Sequence, residues 1–329
     1  MSTEELKIAI VGAGGWGYQH ARAFSARKDC RVVSFAGRTP EKTRKRAEEF
    51  RANWYTDIRQ MLDTEKPDLV SLCLPGQHTF DATMQVIDAG YPLFVEKPLA
   101  YELEEGRKLI RAAEEKDLFF AIDFEQRYSI PCLKAKQAID DGRLGELIFA
   151  AWRFGHDVGG TLDHPYVNLI EAQCHGINML ETLCGPIVSV SADMTDNGGL
   201  NSFSTFSLSL RFENGAVGSF LGTFDGNSHN RNSQVIEIGG TDGRILIEDN
   251  VRRYSFQGTG CDTEEVWQAG FFDDDDRCFT RSVDRYLNDM IPAFRDGRKP
   301  PVPAEEGLRA LEIAWAAVES FQTGKRVAV

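Results

Sequence analysis

Three groups of residues in this chain of 329 have types and spacings suited to chemistry. The first is Gly12-Ala13-Gly14-Gly15-Trp16-Gly17, a GxGxxG run between the apolar stretch Leu6 to Val11 and a predicted helix, Tyr18 to Arg27. Gly12 suits a tight turn, Gly14 lets the backbone approach a pyrophosphate, and Gly17 lets helix and strand pack closely. The helix N-terminus, entered through Gly15 and Trp16, offers amides to phosphate oxygen. The second group is Glu96-Lys97-Pro98, just beyond the apolar run Tyr91 to Val95. Open parallel sheets present catalytic groups at this end of a strand, and Pro98 restricts Lys97 to extended geometry, with a cis bond as one way to fix its direction. Glu96 would pair with a basic neighbour or organise the turn. The third group is Glu171, His175, Asn178 and Thr182, separated by 4, 3 and 4 positions within a predicted helix, Leu169 to Cys184. That spacing makes a polar stripe. It is either a solvated face or the wall of a cleft in which Glu171 orients His175 and His175 exchanges a proton near neutral pH.

The second apolar run, Arg31 to Ala36, ends in Gly37-Arg38-Thr39, where an NAD site usually presents Asp or Glu to the ribose. Arg38 could pair with a 2′-phosphate, Thr39 could donate to it, and Lys42 could add charge. Otherwise Arg38 is solvated and Thr39 only caps a helix starting at Pro40. The missing carboxylate favours NADP(H) over NAD(H). Flavin binding and a methyl-donor fold use the same local geometry. Cys73 with His78, or Cys174 and His175 with Cys184, make no convincing tetrahedral framework, so no metal is expected.

These groups need a scaffold. Further strands are predicted at Leu69 to Leu74 and Leu118 to Ile122, alternating with helices at Phe80 to Ala89 and Glu102 to Glu115. Such alternation implies a Rossmann-type α/β domain over residues 1–123, a parallel sheet covered by helices. From 124 to 329 the pattern changes. A helix at Ile130 to Asp140, a strand at Glu146 to Phe154 and the His175 helix precede five strand candidates: Ile187 to Ala192, Phe203 to Phe212, Ala216 to Phe224, Gln234 to Ile238 and Arg244 to Ile247. Separators such as Asn214-Gly215 and Asp242-Gly243 suit hairpins, so the second domain is α+β with a mainly antiparallel open sheet. Two helices, Phe279 to Phe294 and Glu305 to Phe321, close the chain, and the acidic run Asp273 to Asp276 reads as a solvated loop.

With 37 basic against 50 acidic residues, the formal net charge is −13, which disfavours a general nucleic-acid or anionic-membrane coat. The start MSTEELKIAI lacks a secretory pattern, and no apolar run is long enough for a bilayer. Seven dispersed cysteines without a CxxC pair suit buried thiols in a reducing cytoplasm.

In combination, the glycine loop, Pro75 with His78 after a central strand, Glu96-Lys97-Pro98 after the next, the Gly159-Gly160 region leading to His175, and the helix from Gly307 to Ser320 resemble the glucose-fructose oxidoreductase, inositol dehydrogenase and MocA-like family. The resemblance covers nearly the whole chain. It implies an N-terminal NAD(P) site that includes the Pro75-His78 turn and Glu96, a C-terminal substrate domain, and a homo-dimer or homo-tetramer built through its sheet. It assigns Lys97 to substrate orientation and proton transfer and His175 to the catalytic region. The frequent Asp-x-Gly-x-His pattern is here Glu171-Ala172-Gln173-Cys174-His175, and Asn178 stands where many relatives have Asp. The implied reaction is hydride transfer between nicotinamide and a CH–OH or carbonyl carbon of a sugar, sugar derivative or cyclitol, with Lys97 and His175 handling the oxygen's proton. Tyr128, His156, Asp157, Asp163, His164 and Tyr166 are candidates to line the pocket. A less polar diol or carbonyl compound, or an inactive nicotinamide-binding regulator, are the competing readings.

Overall fold

The alternating runs of the first third fold as β1 (Leu6–Val11), α1 (Gly15–Ser25), β2 (Cys30–Ala36), α2 (Pro40–Glu49), β3 (Asn53–Tyr55), α3 (Ile58–Glu65), β4 (Leu69–Leu72), α4 (Thr79–Asp88), β5 (Leu93–Glu96), α5 (Leu103–Glu114) and β6 (Phe120–Asp123). These come from a computed structural model that describes residues 4–157, 163–224 and 232–329. The six strands are all parallel, in the order β3-β2-β1-β4-β5-β6. Every residue of β4, β5 and β6 is buried, as expected for central strands covered on both faces. The order reverses between β1 and β4, which opens a crevice at the carboxyl ends of the strands, where the glycine loop and Lys97 stand. β3 and α3 were not foreseen. β3 has three residues, none of them buried, and so carries no apolar run; α3 is identified by its ends, with the Asp57 carboxylate accepting from Gln60 N at 2.7 Å and Lys66 in the left-handed region.

The chain divides into two compact units. One comprises Met1–Phe124 and Val283–Leu311, the other Glu125–Ser282 and Glu312–Val329. The linear cut at residue 123 therefore omits a segment of the first unit. That segment includes most of α9, which is numbered here after α6 (Ile130–Asp140), α7 (Cys174–Cys184) and the single turn α8 (Asp274–Arg277), and which spans Arg281–Arg295. Tyr286 of α9 meets Phe94 of β5 edge-on at 5.3 Å, Asp284 takes a two-pronged ion pair from Arg22 of α1, and Phe294 packs on Phe119 at 5.1 Å. The final helix, α10, runs Ala304–Thr323.

The second unit is built on a nine-stranded sheet. Its strands are β7 (Leu147–Gly155), β8 (Ile187–Thr195), β9 (Thr205–Phe212), β10 (Val217–Thr223), β11 (Gln234–Gly240), β12 (Gly243–Glu248), β13 (Arg253–Gly258), β14 (Glu265–Gln268) and β15 (Val327–Ala328), in the order β14-β13-β12-β11-β7-β10-β9-β8-β15. Among the described residues of this sheet, only β7 and β10 pair in parallel. β9 alternates buried and exposed residues along its length, so one sheet face is covered and the other open. α7 lies on the covered face: Gly176 fits against the Trp152 indole so closely that a Cβ there would sit 2.3 Å from the ring. Phe149, Val217 and Leu221, on the adjacent strands β7 and β10, are exposed. β13, β14 and β15 were not foreseen, and Asp274–Arg277 forms one exposed helical turn where a loop was expected. Among the described residues no helix is long and apolar enough to cross a membrane.

The predicted helix over Leu169 to Cys184 proves to be two segments. Asn168–Ala172 is a π-helical turn, closed by Gln173 N donating to Asn168 O at 3.0 Å, and only from Cys174 onward is the helix α. Gln173 is the reason. Its buried amide accepts from Trp152 Nε1 at 2.8 Å and donates to Phe154 O and Asn168 Oδ1, both at 3.2 Å, tying the junction to the sheet. The extra residue changes the phase between Glu171 and His175 that an unbroken α-helix would impose.

Candidate active site

The glycine loop has the geometry its spacing implies. Gly12 has φ +115°, and a Cβ on it would lie 2.2 Å from Cys73 O; a Cβ on Gly17 would lie 2.0 Å from Gly12 O. Both positions demand glycine. Gly14 and Gly15 face open space, with no atom within 4 Å of where a Cβ would be, and no side chain caps α1. Space for a phosphate group therefore lies at the N-terminus of α1. Trp16 is half-buried. At the end of β2, Arg38, Thr39 and Lys42 are all exposed, and the Thr39 side chain makes no capping hydrogen bond. Pro75 is exposed and His78 half-buried in the turn Gly76–His78 that follows β4.

Lys97 is half-buried immediately after β5, and the Lys97-Pro98 peptide is cis. Glu96, one residue earlier, is buried and pairs with a histidine that the sequence reading passed over. His20 of α1 places Nε2 3.1 Å from Glu96 Oε1 and 2.9 Å from Asp123 Oδ2, and Nδ1 2.8 Å from Ser71 Oγ. Glu96 and Asp123 are register partners on β5 and β6. Burial opposes charge on the His20 ring, but Cys73 and the carboxylates of Asp123 and Glu96 more than offset this and hold it well above the usual histidine value. Burial also raises the Asp123 carboxyl to about 6, against the pull of His20. His20, Glu96 and Asp123 could each offer an atom to a metal, all within 4.8 Å of one another, although a ring hydrogen-bonded to Glu96 and ion-paired with Asp123 accounts for the spacing by itself. The missed signal is periodic: His20 stands three residues after Gly17, on the helix face that the glycine turns toward the sheet.

In the second unit His175 is buried on α7, with Nε2 3.8 Å from Glu125 Oε2. Glu125, buried in the turn Glu125–Tyr128 after β6, was also passed over. Asn178 is buried and Glu171 and Thr182 half-buried, so the stripe is not a solvated face. Tyr128 is buried. Tyr166 is packed, its ring stacked on Phe203 at 5.5 Å and its hydroxyl 3.2 Å from Gln322 Nε2. His164 Nδ1 accepts from Tyr166 N at 3.1 Å. His156 is half-buried between Phe154 and Phe224, while Asp157 and Asp163 are exposed. Gly159-Gly160 lies outside the described residues. All seven cysteines are free thiols.

A crevice with a glycine-rich phosphate cradle on β1 and a lysine ending β5 defines a dinucleotide-dependent enzyme fold, and comparison with known proteins agrees. Residues 6–124 match the family described as "Oxidoreductase family, NAD-binding Rossmann fold", and residues 136–329 match its "C-terminal alpha/beta domain". The chain belongs to this GFO/IDH/MocA family and is an NAD(P)-dependent oxidoreductase acting on CH–OH or carbonyl groups. It is 25% identical over 346 residues to the scyllo-inositol 2-dehydrogenase (NAD(+)) of Bacillus subtilis (strain 168), covering 98% of this chain and 96% of that protein. It is 29% identical over 149 residues to the D-glucoside 3-dehydrogenase of Escherichia coli (strain K12), a match spanning 45% of this chain and 42% of that protein. A solved structure of levoglucosan dehydrogenase in complex with NADH and levoglucosan superposes with a TM-score of 0.89 at 20% identity, covering 99% of both chains.

Proposed function

We propose that this oxidoreductase, preferring NADP(H), transfers hydride to or from a hydroxyl- or carbonyl-bearing carbon of a sugar, sugar derivative or cyclitol. The observation that carries the reading is the half-buried Lys97 at the carboxyl end of β5, on the same edge of one sheet as the phosphate cradle. The nicotinamide, when bound, supplies the hydride acceptor or donor. Lys97 holds the substrate oxygen and exchanges its proton, so charge on that oxygen is compensated as it develops. In the second unit His175, with Glu125 beside it, is the second acid–base group. The names of the relatives support a polyhydroxylated substrate, and exposed Arg38, Thr39 and Lys42, with Arg38 directly after Gly37 where an acid usually meets the ribose, support a 2′-phosphate. The open sheet face carrying Phe149, Val217 and Leu221 supports a homo-oligomer, and free thiols suit a reducing cytoplasm.

A panel of sugars and cyclitols, followed by nicotinamide absorbance with both cofactors, tests the function. Lys97→Ala should lower kcat/KM by about a thousandfold while cofactor affinity stays within about threefold. Unchanged turnover in the variant, or cofactor binding with no turnover on any substrate, would contradict the reading. Arg38→Ala should weaken NADPH binding about tenfold or more and leave NADH binding alone; equal effects on both would remove Arg38 from the specificity.

A further inference from the structure

The His20 cluster lies one residue from Lys97 and is too elaborate to be only a packing device. The ring is fully buried and lies nearly flat on Phe94, centroids 4.9 Å apart and planes 22° apart. Phe94 is held in turn by Phe24 of α1 and Tyr286 of α9, so the imidazole has a fixed plane. Nε2 is hydrogen-bonded to Glu96 Oε1 at 3.1 Å and stands 2.9 Å from Asp123 Oδ2, while Nδ1 meets Ser71 Oγ. The Nε2 hydrogen goes to Glu96, and Asp123 faces the ring as a charge.

Charge follows from this arrangement. The groups facing the ring are Ser71 and Cys73 from the β4 side, Glu96 from β5 and Asp123 from β6; the Tyr286 hydroxyl is turned away, donating to Ile122 O at 2.9 Å. Burial pushes the Cys73 thiol up, against the pull of His20. An imidazolium between two carboxylates leaves one negative charge over. Lys97 follows Glu96 directly at the carboxyl end of β5, and Glu96 is the register partner of Asp123 on β6.

We propose that His20 and Asp123 are positioning residues for Lys97: the imidazolium clamps Glu96 and Asp123 across the ends of β5 and β6, and the carboxylate charge left over holds Lys97 as an ammonium. Resting on the reading of Lys97 as the proton-exchanging group, this makes the cluster the device that sets the pH range of the reaction. Neither residue touches substrate; both act through Lys97.

The test is Asp123→Asn, which keeps the shape and removes one charge. Two readouts apply: the pH midpoint at which Lys97 reacts with an amine-selective reagent, followed by mass spectrometry, and the pH limb of kcat/KM. Both should move to lower pH by about one unit, with Asp123→Glu restoring the wild-type midpoint. Should Asp123→Asn not fold, Glu96→Gln removes the other carboxylate and is expected to shift the Lys97 midpoint the same way. A Lys97 midpoint that stays put in the folded variants overturns the inference, even where wild-type turnover upholds the proposed function. A midpoint that moves in a protein without turnover upholds the linkage and sinks the function instead.

Discussion

His20 on α1 and His175 on α7 are both buried helical histidines beside carboxylates, yet their surroundings differ in kind. His20 is gripped at both nitrogens, at 2.8 to 3.1 Å, by groups from three strands. The Glu125 carboxylate stands 3.8 Å from His175 Nε2, beyond hydrogen-bonding distance. A ring whose proton is fixed between two anions is poor at giving it up, whereas a ring with a looser acid neighbour can take and return one. On the proposed function, the contrast separates a histidine that arranges charge from one that moves protons.

The widest separation should come from replacing each by glutamine. His175→Gln should lower kcat/KM by about a hundredfold or more with little change in unfolding midpoint. His20→Gln should instead cost about 3 kcal/mol of stability, because it strands two buried carboxylates, and should lower kcat/KM only about tenfold. Equal kinetic losses would erase the distinction. The stability loss has a sign in pH. A histidine raised in the folded state contributes fully below about pH 6.5, its unfolded value, and the contribution fades as pH rises through the folded value. Urea titrations should therefore show a larger gap between wild type and His20→Gln at pH 6 than at pH 10, and a gap widening with pH would refute the imidazolium. The smallest effect concerns the acids near His175: Glu125→Gln should reduce turnover about tenfold, and Glu171→Gln by no more than about threefold, since the π-turn breaks the helical register between residues 171 and 175. The reverse order would restore Glu171 as the partner.

These comparisons also show what a sequence can reveal. The glycine loop was legible because its residues form one contiguous run, Gly12 to Gly17, even though the atom that demands glycine at position 12 belongs to Cys73. The parallel and mainly antiparallel sheets were legible from apolar periodicity. β3, β14 and β15 were not, being short or mostly exposed. The His20 cluster escaped because its partners arrive from strands 51 and 76 positions away, a separation no spacing rule carries. The Glu171-to-His175 stripe was drawn on an unbroken α-helix, and a buried glutamine, Gln173, inserted a π-turn to satisfy its own amide. Polar residues that choose tertiary partners over helical regularity leave little trace in a hydrophobic pattern.

The late segment that completes the first unit has a consequence for how the protein is made. Residues 283–311 belong to the cofactor unit, and through α9 they supply Tyr286 against Phe94, Phe294 against Phe119 and the acid that pairs with Arg22. A nascent chain that has emerged only as far as residue 124 holds all six strands but leaves these aromatic flanks bare. The cofactor unit must therefore wait through the synthesis of most of its neighbour before its packing closes. During that interval Phe94 and Phe119 are surface for a chaperone or for aggregation.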